Sequence, residues 1–309
     1  MYKRQLQHLL AIFVAIITPP LIIADALSLD PETKAFLISM ALFVSGISTF
    51  VQCRGIGGIG ARLLCVQGTS FSFISPIISA GLAGGLPLIF GCTIAAAPIE
   101  MIVSRIFKYV KHIVTPIVSG TVVLLIGLSL IKVGVVACGG GFDAMGDGTF
   151  GHWHNLLVAG SVLVSVLFFN KMNNKYLRMS SIVLGIIVGY IVAMSLGMVD
   201  YSLIEGAKTW KLNAPLPFKY GFKFEWGHFI ALGIIYLITA IEASGDVTAN
   251  SMISGLKISG DSYLKRVSGG VMADGFNSLL AGVFNSFPNS IFAQNNGIIQ
   301  LTGVASRYV

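Results

Sequence analysis

The stretch YLITAIEASGDVTAN, Tyr236 to Asn250, decides the fold, because it sets Glu242 and Asp246 in what otherwise reads as the inner half of a membrane-spanning helix. A carboxylate near a bilayer centre costs roughly 2.5–3.5 kcal/mol even on insertion scales, so it faces a cavity, pairs with another group or carries protons. The i, i+4 spacing puts both acids on one helix face, about 6 Å apart along the axis. The remaining sequence must supply what surrounds that face.

Of the 309 residues, 55% are hydrophobic and 11% charged, and the mean hydropathy is +0.84. Soluble domains carry about 25% charged residues, so this is an integral membrane protein. The formal charge of +7 does not point to nucleic acid, because its basic residues are spread over short loops between apolar runs. Cys53, Cys65, Cys92 and Cys138 show no metal-ligand spacing and read as small apolar packing residues. The first apolar run continues through Thr18-Pro19-Pro20 into Leu21 without a small-residue cleavage site, so no cleavable signal is evident.

Ten apolar segments are candidate spans: Leu6 to Ala24, Phe36 to Gln52, Leu63 to Ala80, Leu86 to Ile106, Ile113 to Val136, Leu156 to Phe169, Ile182 to Val199, Phe229 to Thr248, Gly269 to Phe284 and Ile291 to Val309. The shorter ones need tilt, flanking residues or a break to cross. Barrel-type alternation is absent, so the spans read as helices. With a cytoplasmic N-terminus, Lys3, Arg4, Arg54, Arg62, Arg105, Lys108, Lys111, Lys171, Lys175, Arg178, Lys257, Lys265 and Arg266 gather on one side. The positive-inside rule makes that side the cytoplasm. The connection Asp200 to Trp226, with Pro215, Pro217 and mixed charges, is the best internal boundary.

Two spans look interrupted. In Gly68 to Pro76, Thr, Ser and Phe replace strong helix formers and Pro76 disfavours a helical Ser75; in Asn285 to Gly297, amides stand where a span should be apolar. Extramembrane loops would also produce such stretches. Interrupted segments in corresponding positions of two halves are, however, the mark of a transporter site at the midplane, where broken backbone offers N–H and C=O groups.

Other features have plain readings. Ser119, Gly120, Gly127 and Gly134 form a small-residue face suited to close helix packing, and Gly139-Gly140-Gly141 is a flexible turn without a phosphate-binding helix start. His152 and His154 flank an interfacial Trp153 and are too few for a metal site. Ionisable groups in or near the spans are His8, Glu100, Glu242, Asp246 and Asp274. Glu100 reads as an interfacial ion-pair partner of Arg105 or Lys108, His8 as a buried hydrogen-bonded residue or part of a relay, and Asp274 as a candidate for proton uptake. Motifs of aqueous enzymes are absent. Carboxylates, amides, Phe71 and Phe73 suit a flat, polar, neutral ring, stacked on an aromatic face and hydrogen-bonded along its edges.

The run Gln294-Asn295-Asn296-Gly297, followed after four residues by Thr302-Gly303, resembles the signature of the nucleobase/ascorbate transporters. Gln7-His8 resembles that family's first-span motif, Ile241 to Asp246 its acidic eighth-span motif, and Gly270 to Gly275 its ninth-span acid. Gln294 with Thr302 to Tyr308, and Thr115-Pro116 leading into Gly127 to Ile131, look most like bacterial xanthine permeases; uracil permeases typically carry an acid at the Gln294 position.

The resemblance implies an all-α polytopic protein of the bacterial inner membrane, a homodimer with fourteen spans in two inverted seven-helix repeats forming core and gate domains. It implies proton-coupled uptake of a purine, xanthine above all, with protons as coupling ion, no other cofactor and no nucleic-acid partner. Residues 1–112 would be core spans, 113–226 gate spans with an external loop, and 227–309 the core spans opening the second repeat. By the same carry-over Glu242 grips the ring N–H edge, Gln294 another edge, Phe71 stacks, and Ser70 and Ala293 complete the site. Asp246, Asp274, His8 and Asn295 tune it or couple it to protons. Ser70 stands where xanthine permeases often carry Asn, which leaves uric acid as an alternative substrate. About ten of the fourteen spans are present before Val309, so the expectation is a fragment or truncated product that does not transport alone. An anion channel or exchanger on the related fold would call for a basic residue near the broken helices in place of Glu242.

Overall fold

The computed structural model describes residues 2–110, 116–174, 177, 178, 180–199 and 214–308. Its helices are α1 (Tyr2–Ala26), α2 (Pro31–Arg54), α3 (Ile74–Val110), α4 (Pro116–Cys138), α5 (Gly141–Gly146), α6 (Trp153–Lys171), α7 (Ser181–Ser195), α8 (Trp226–Ile253), α9 (Asp261–Val283) and α10 (Gln294–Thr302). Two short strands, β1 (Gln67–Thr69) and β2 (Asn289–Ile291), qualify the all-α expectation. Among the described residues four helices are long and apolar enough to cross a membrane, Pro31–Arg54, Phe71–Ile106, Trp153–Lys171 and Trp226–Ile253, with shorter apolar helices at Ile12–Ala26 and Ser181–Ser195. The chain is a helical, polytopic membrane protein.

Local chemistry sets several boundaries. Asp30 accepts the Thr33 N–H at 2.9 Å, Pro31 opens the helix, and Gly55 at φ 70° closes it with its N–H on Val51 O, so α2 is capped at both ends. That exposed Asp30 carboxyl is held below the usual carboxylate range by the Thr33 hydrogen bond. Lys34 pairs with Asp25 at 2.7 Å and pins the end of α1 to the start of α2. The expected third and fourth spans form one long α3, kinked at Gly85 (φ 71°). Ser75 is helical despite Pro76: α3 starts at Ile74, so Pro76 falls in the first turn, where its missing N–H has no intrahelical partner to lose.

Helices α3, α8 and α9 pack into one bundle against which α1 and α2 lie. The main core joins Ile23, Phe36, Leu37, Phe73, Phe90, Leu232, Tyr236 and Phe287. A second cluster gathers Ala61, Leu63, Cys65, Ala243, Val247, Val267, Val271 and Ile291 beneath the strand pair. Helix α6 packs on α7 but has no buried residue, leaving Leu163, Val164, Leu167 and Phe168 on an apolar outer surface.

Some expectations change here. Among the described residues no neighbour lies within 4 Å of a Cβ built at Gly120, Gly127 or Gly134, so the glycine face of α4 meets no closely packed helix there. Cys53, Cys65 and Cys92 are buried, but Cys138 is exposed. Residues 200–213 of the proposed boundary, and Lys111 and Lys175, lie outside the described residues. The remainder of that connection docks on the bundle, with Lys223 N–H on Pro87 O at 2.8 Å and Phe218 N–H on Val283 O at 2.9 Å. The His152 and His154 rings stack, and no cluster of three metal-ligating side chains occurs among the described residues.

Candidate functional site

The two interrupted stretches meet. Strands β1 and β2 pair antiparallel, with Gln67 opposite Ile291, Gly68 opposite Ser290 and Thr69 opposite Asn289. The pairing extends through Ser70 N–H on Pro288 O and Phe292 N–H on Val66 O, both at 2.9 Å. Burial of both strands requires this, since unpaired backbone groups inside a membrane cost several kcal/mol each. Gly68 permits the close approach: a Cβ there would stand 2.6 Å from the Phe292 ring and 2.9 Å from Ile16. Each strand then leads into a helix start, β1 through a 3-10 turn at Phe71–Phe73 into α3, β2 into α10 at Gln294. Helix N-termini present free N–H groups and a partial positive charge.

The predicted acids lie on the bundle side of this crossing. Ser72 Oγ donates to Glu242 Oε2 at 3.2 Å, which ties the acid of α8 to the turn after β1. One turn on, Asp246 Oδ1 accepts from Asn296 Nδ2 at 3.3 Å, joining α8 to α10. Asp274 of α9 is fully buried and its Oδ1 accepts Nε2 of Gln67 and, at 3.3 Å, Nε2 of Gln52. His8 of α1 meets Asn295 of α10 at 3.0 Å, Nδ1 to Oδ1. Every acid or histidine assigned to tuning therefore touches an element of the crossing or the amide that holds it.

The ring-binding residues are less uniformly placed. Phe71 and Gln294 line one cavity of about 400 Å³ together with Ala15, Thr18, Asn170, Arg178, Gly297 and Ile298. Ala293 is exposed at the start of α10. Ser70 is 2% exposed, and its side chain neither caps the 3-10 turn nor lines this cavity. Phe73 packs inward on Tyr236, with ring centroids 4.7 Å apart.

Three residues escaped the reading of the sequence. Gln52 and Gln67 hold Asp274, but a glutamine in an apolar run has no local signature of its partner. Arg178 reaches the cavity from the α6–α7 connection, so a basic residue does stand near the broken segments, in addition to Glu242, which does not itself line that cavity. Glu100 is the clearest correction. It is fully buried, and neither of its oxygens makes an ion pair or a hydrogen bond of good geometry among the described residues. Its position on α3 turns it into the α3–α8–α9 seam, while Arg105 points outward.

Comparison with known proteins agrees with this architecture. A family model described as "Permease family" matches residues 5–309. The chain is 46% identical over 312 residues to xanthine permease XanP of Escherichia coli, covering 98% of this chain and 67% of the relative. Xanthine permease XanQ of the same organism is 45% identical over 311 residues (98% and 66% covered), and uric acid permease PucJ of Bacillus subtilis 33% identical over 311 residues (100% and 68% covered). The chain belongs to this permease family, the nucleobase/ascorbate transporters. Its relatives are transporters rather than enzymes, and it spans about two thirds of their length.

Proposed function

We propose that this chain carries the substrate-binding part of a proton-coupled purine nucleobase symporter of the bacterial inner membrane, with xanthine as its substrate. The observation that carries the reading is the strand crossing, which brings Phe71 and Gln294 from the two ends of the sequence onto one cavity and ties Glu242 to the turn bearing Phe71. A cavity of about 400 Å³ is within the ordinary small-ligand range. In this reading Phe71 stacks on the purine, Gln294 pairs with one edge, Glu242 accepts from ring N–H groups, and Ala293 and Ser70 complete the site through backbone and packing. Asp246, Asp274, His8 and Asn295 couple occupancy to a proton.

The order α1, α2, β1, α3 is matched by α8, α9, β2, α10, with the two strands antiparallel, which supports inverted repeats. Residues 1–112 and 227–309 then belong to a core domain and 113–226 to a gate, with the N-terminus cytoplasmic and a homodimer as the assembly. Names of the relatives favour xanthine, and the uric acid permease supplies the second reading. In a chain extended to its relatives' full length, competition of labelled xanthine uptake by unlabelled xanthine, urate, guanine and uracil, with and without a protonophore, tests both. Displacement by xanthine together with protonophore sensitivity supports the proposal; preferred displacement by urate favours the second reading, and uptake indifferent to every purine sinks both.

A further inference from the structure

Glu100 has no assigned task, yet it is a fully buried acid in a spanning helix. Tyr236 and Thr239 of α8 face it, as does Asp274 of α9, with Glu242 further along α8. The seam is tight at this level: a Cβ on Gly275, the residue after Asp274, would stand 3.0 Å from Met101 N and 3.1 Å from Ala97 O. Among the described residues several polar atoms along it lack a hydrogen bond of good geometry, namely both Glu100 oxygens, Tyr236 Oη, Thr93 Oγ1 and Asp274 Oδ2. The neighbouring hydroxyls are committed elsewhere, Thr239 Oγ1 to Tyr236 O at 3.2 Å and Ser278 Oγ to Asn289 O at 3.0 Å. Unpaired buried polar atoms on three helices mark a place where a proton or water must be accommodated.

Its two acids are treated differently. Asp274 Oδ1 accepts two amide N–H groups, from Gln67 and Gln52, which favours its ionised form. Among the described residues Glu100 has no amide donor and no facing cation, its nearest polar neighbour being the Thr239 hydroxyl. The titratable groups around the pair are Tyr236 and Glu242 on α8, and Asp246 and Cys65 on the Asp274 side.

Resting on the proton-coupled reading above, we propose that Glu100 holds the coupling proton as a neutral carboxylic acid and exchanges it with Asp274. In the exchange the O–H bond on Glu100 breaks as one forms on Asp274, and the pair keeps a single negative charge throughout. Gln67 is the switch: it belongs to β1, whose continuation bears Phe71, so a shift of the strand crossing on ligand binding removes a donor from Asp274 and readies it to take the proton.

Infrared difference spectroscopy of the protein bearing Glu242→Gln, with isotope-labelled glutamate, tests the resting state without altering Glu100. A labelled carboxylic-acid C=O band at neutral pH is the expected result, because Glu32 and Glu225 are exposed and Glu205 falls in the charged, proline-bearing stretch of sequence between Asp200 and Trp226; its absence overturns the proposal. In proteoliposomes of the chain extended to its relatives' full length, Glu100→Gln is expected to lower proton-driven xanthine accumulation about tenfold or more while leaving xanthine counterflow within about twofold. Undiminished accumulation by a parent-like Glu100→Gln protein overturns the proposal alone. A parent protein insensitive to protonophore overturns the symport reading instead.

Discussion

His8 Nδ1 lies 3.0 Å from Asn295 Oδ1, across 287 positions of sequence. The same Asn295 donates from Nδ2 to Leu64 O at 2.5 Å. A carbonyl only accepts, so the amide nitrogen must face Leu64 and its oxygen must face His8, which therefore carries its proton on Nδ1. The bond closes α1 onto α10 beside the strand crossing.

Removing this amide should loosen that closure. Asn295→Ala is expected to destabilise the protein by about 1–2 kcal/mol, as for other intramembrane hydrogen bonds. The thermal midpoint in detergent measures it, and His8→Ala combined with Asn295→Ala should cost less than the sum of the two single changes. Strict additivity would show that the two side chains do not interact.

Glu242→Gln keeps the shape of the side chain and removes its charge. Loss of a hydrogen bond to a charged group is worth roughly 1.5–3 kcal/mol, so xanthine binding should weaken about tenfold or more. Equilibrium binding to the purified protein reads this directly, and unchanged affinity rejects the assigned role. Gln294→Glu should shift competition away from xanthine, because an acceptor pair replaces an amide that both donates and accepts.

Gly68→Ala tests the crossing itself. The new methyl would stand against the Phe292 ring and Ile16, at 2.6 and 2.9 Å. Overpacking of this kind costs about 1–3 kcal/mol. A lower thermal midpoint with weakened xanthine binding is expected, and a neutral effect on both would mean that the strands separate readily.

At the other end of the fold, the Asp30 cap gives a pH dependence with a definite sign. Its carboxyl is held low by Thr33, so the cap's contribution is present above the unfolded-state value near 3.9 and is lost as pH falls through the lower folded-state value. Amide exchange at Thr33, normalised to its intrinsic rate, should therefore accelerate in acid, and Asp30→Ala should abolish that dependence.

The helical membrane class was legible because hydropathy acts locally: a span must be apolar wherever its neighbours stand. The exceptional acids were legible for the same reason, since Glu242, Asp246 and Asp274 violate that rule in plain view. The two interrupted stretches were also visible, because Gly, Ser, Thr, Asn and Pro are poor components of an apolar helix.

Their meeting was not. Antiparallel pairing of Gln67–Thr69 with Asn289–Ile291 is a contact across more than two thirds of the chain, and nothing in either strand names its partner. Glu100 shows the same limit from the other side. Along the sequence it sits near Arg105 and Lys108 and suggests an ion pair, but helical rotation turns it into the seam, toward Tyr236, Thr239 and Asp274. Sequence by itself determined which residues are costly to bury, because that cost is a property of each side chain and its solvent. Only the tertiary structure decided which of them face one another, because that depends on rotation about helix axes and on long-range pairing.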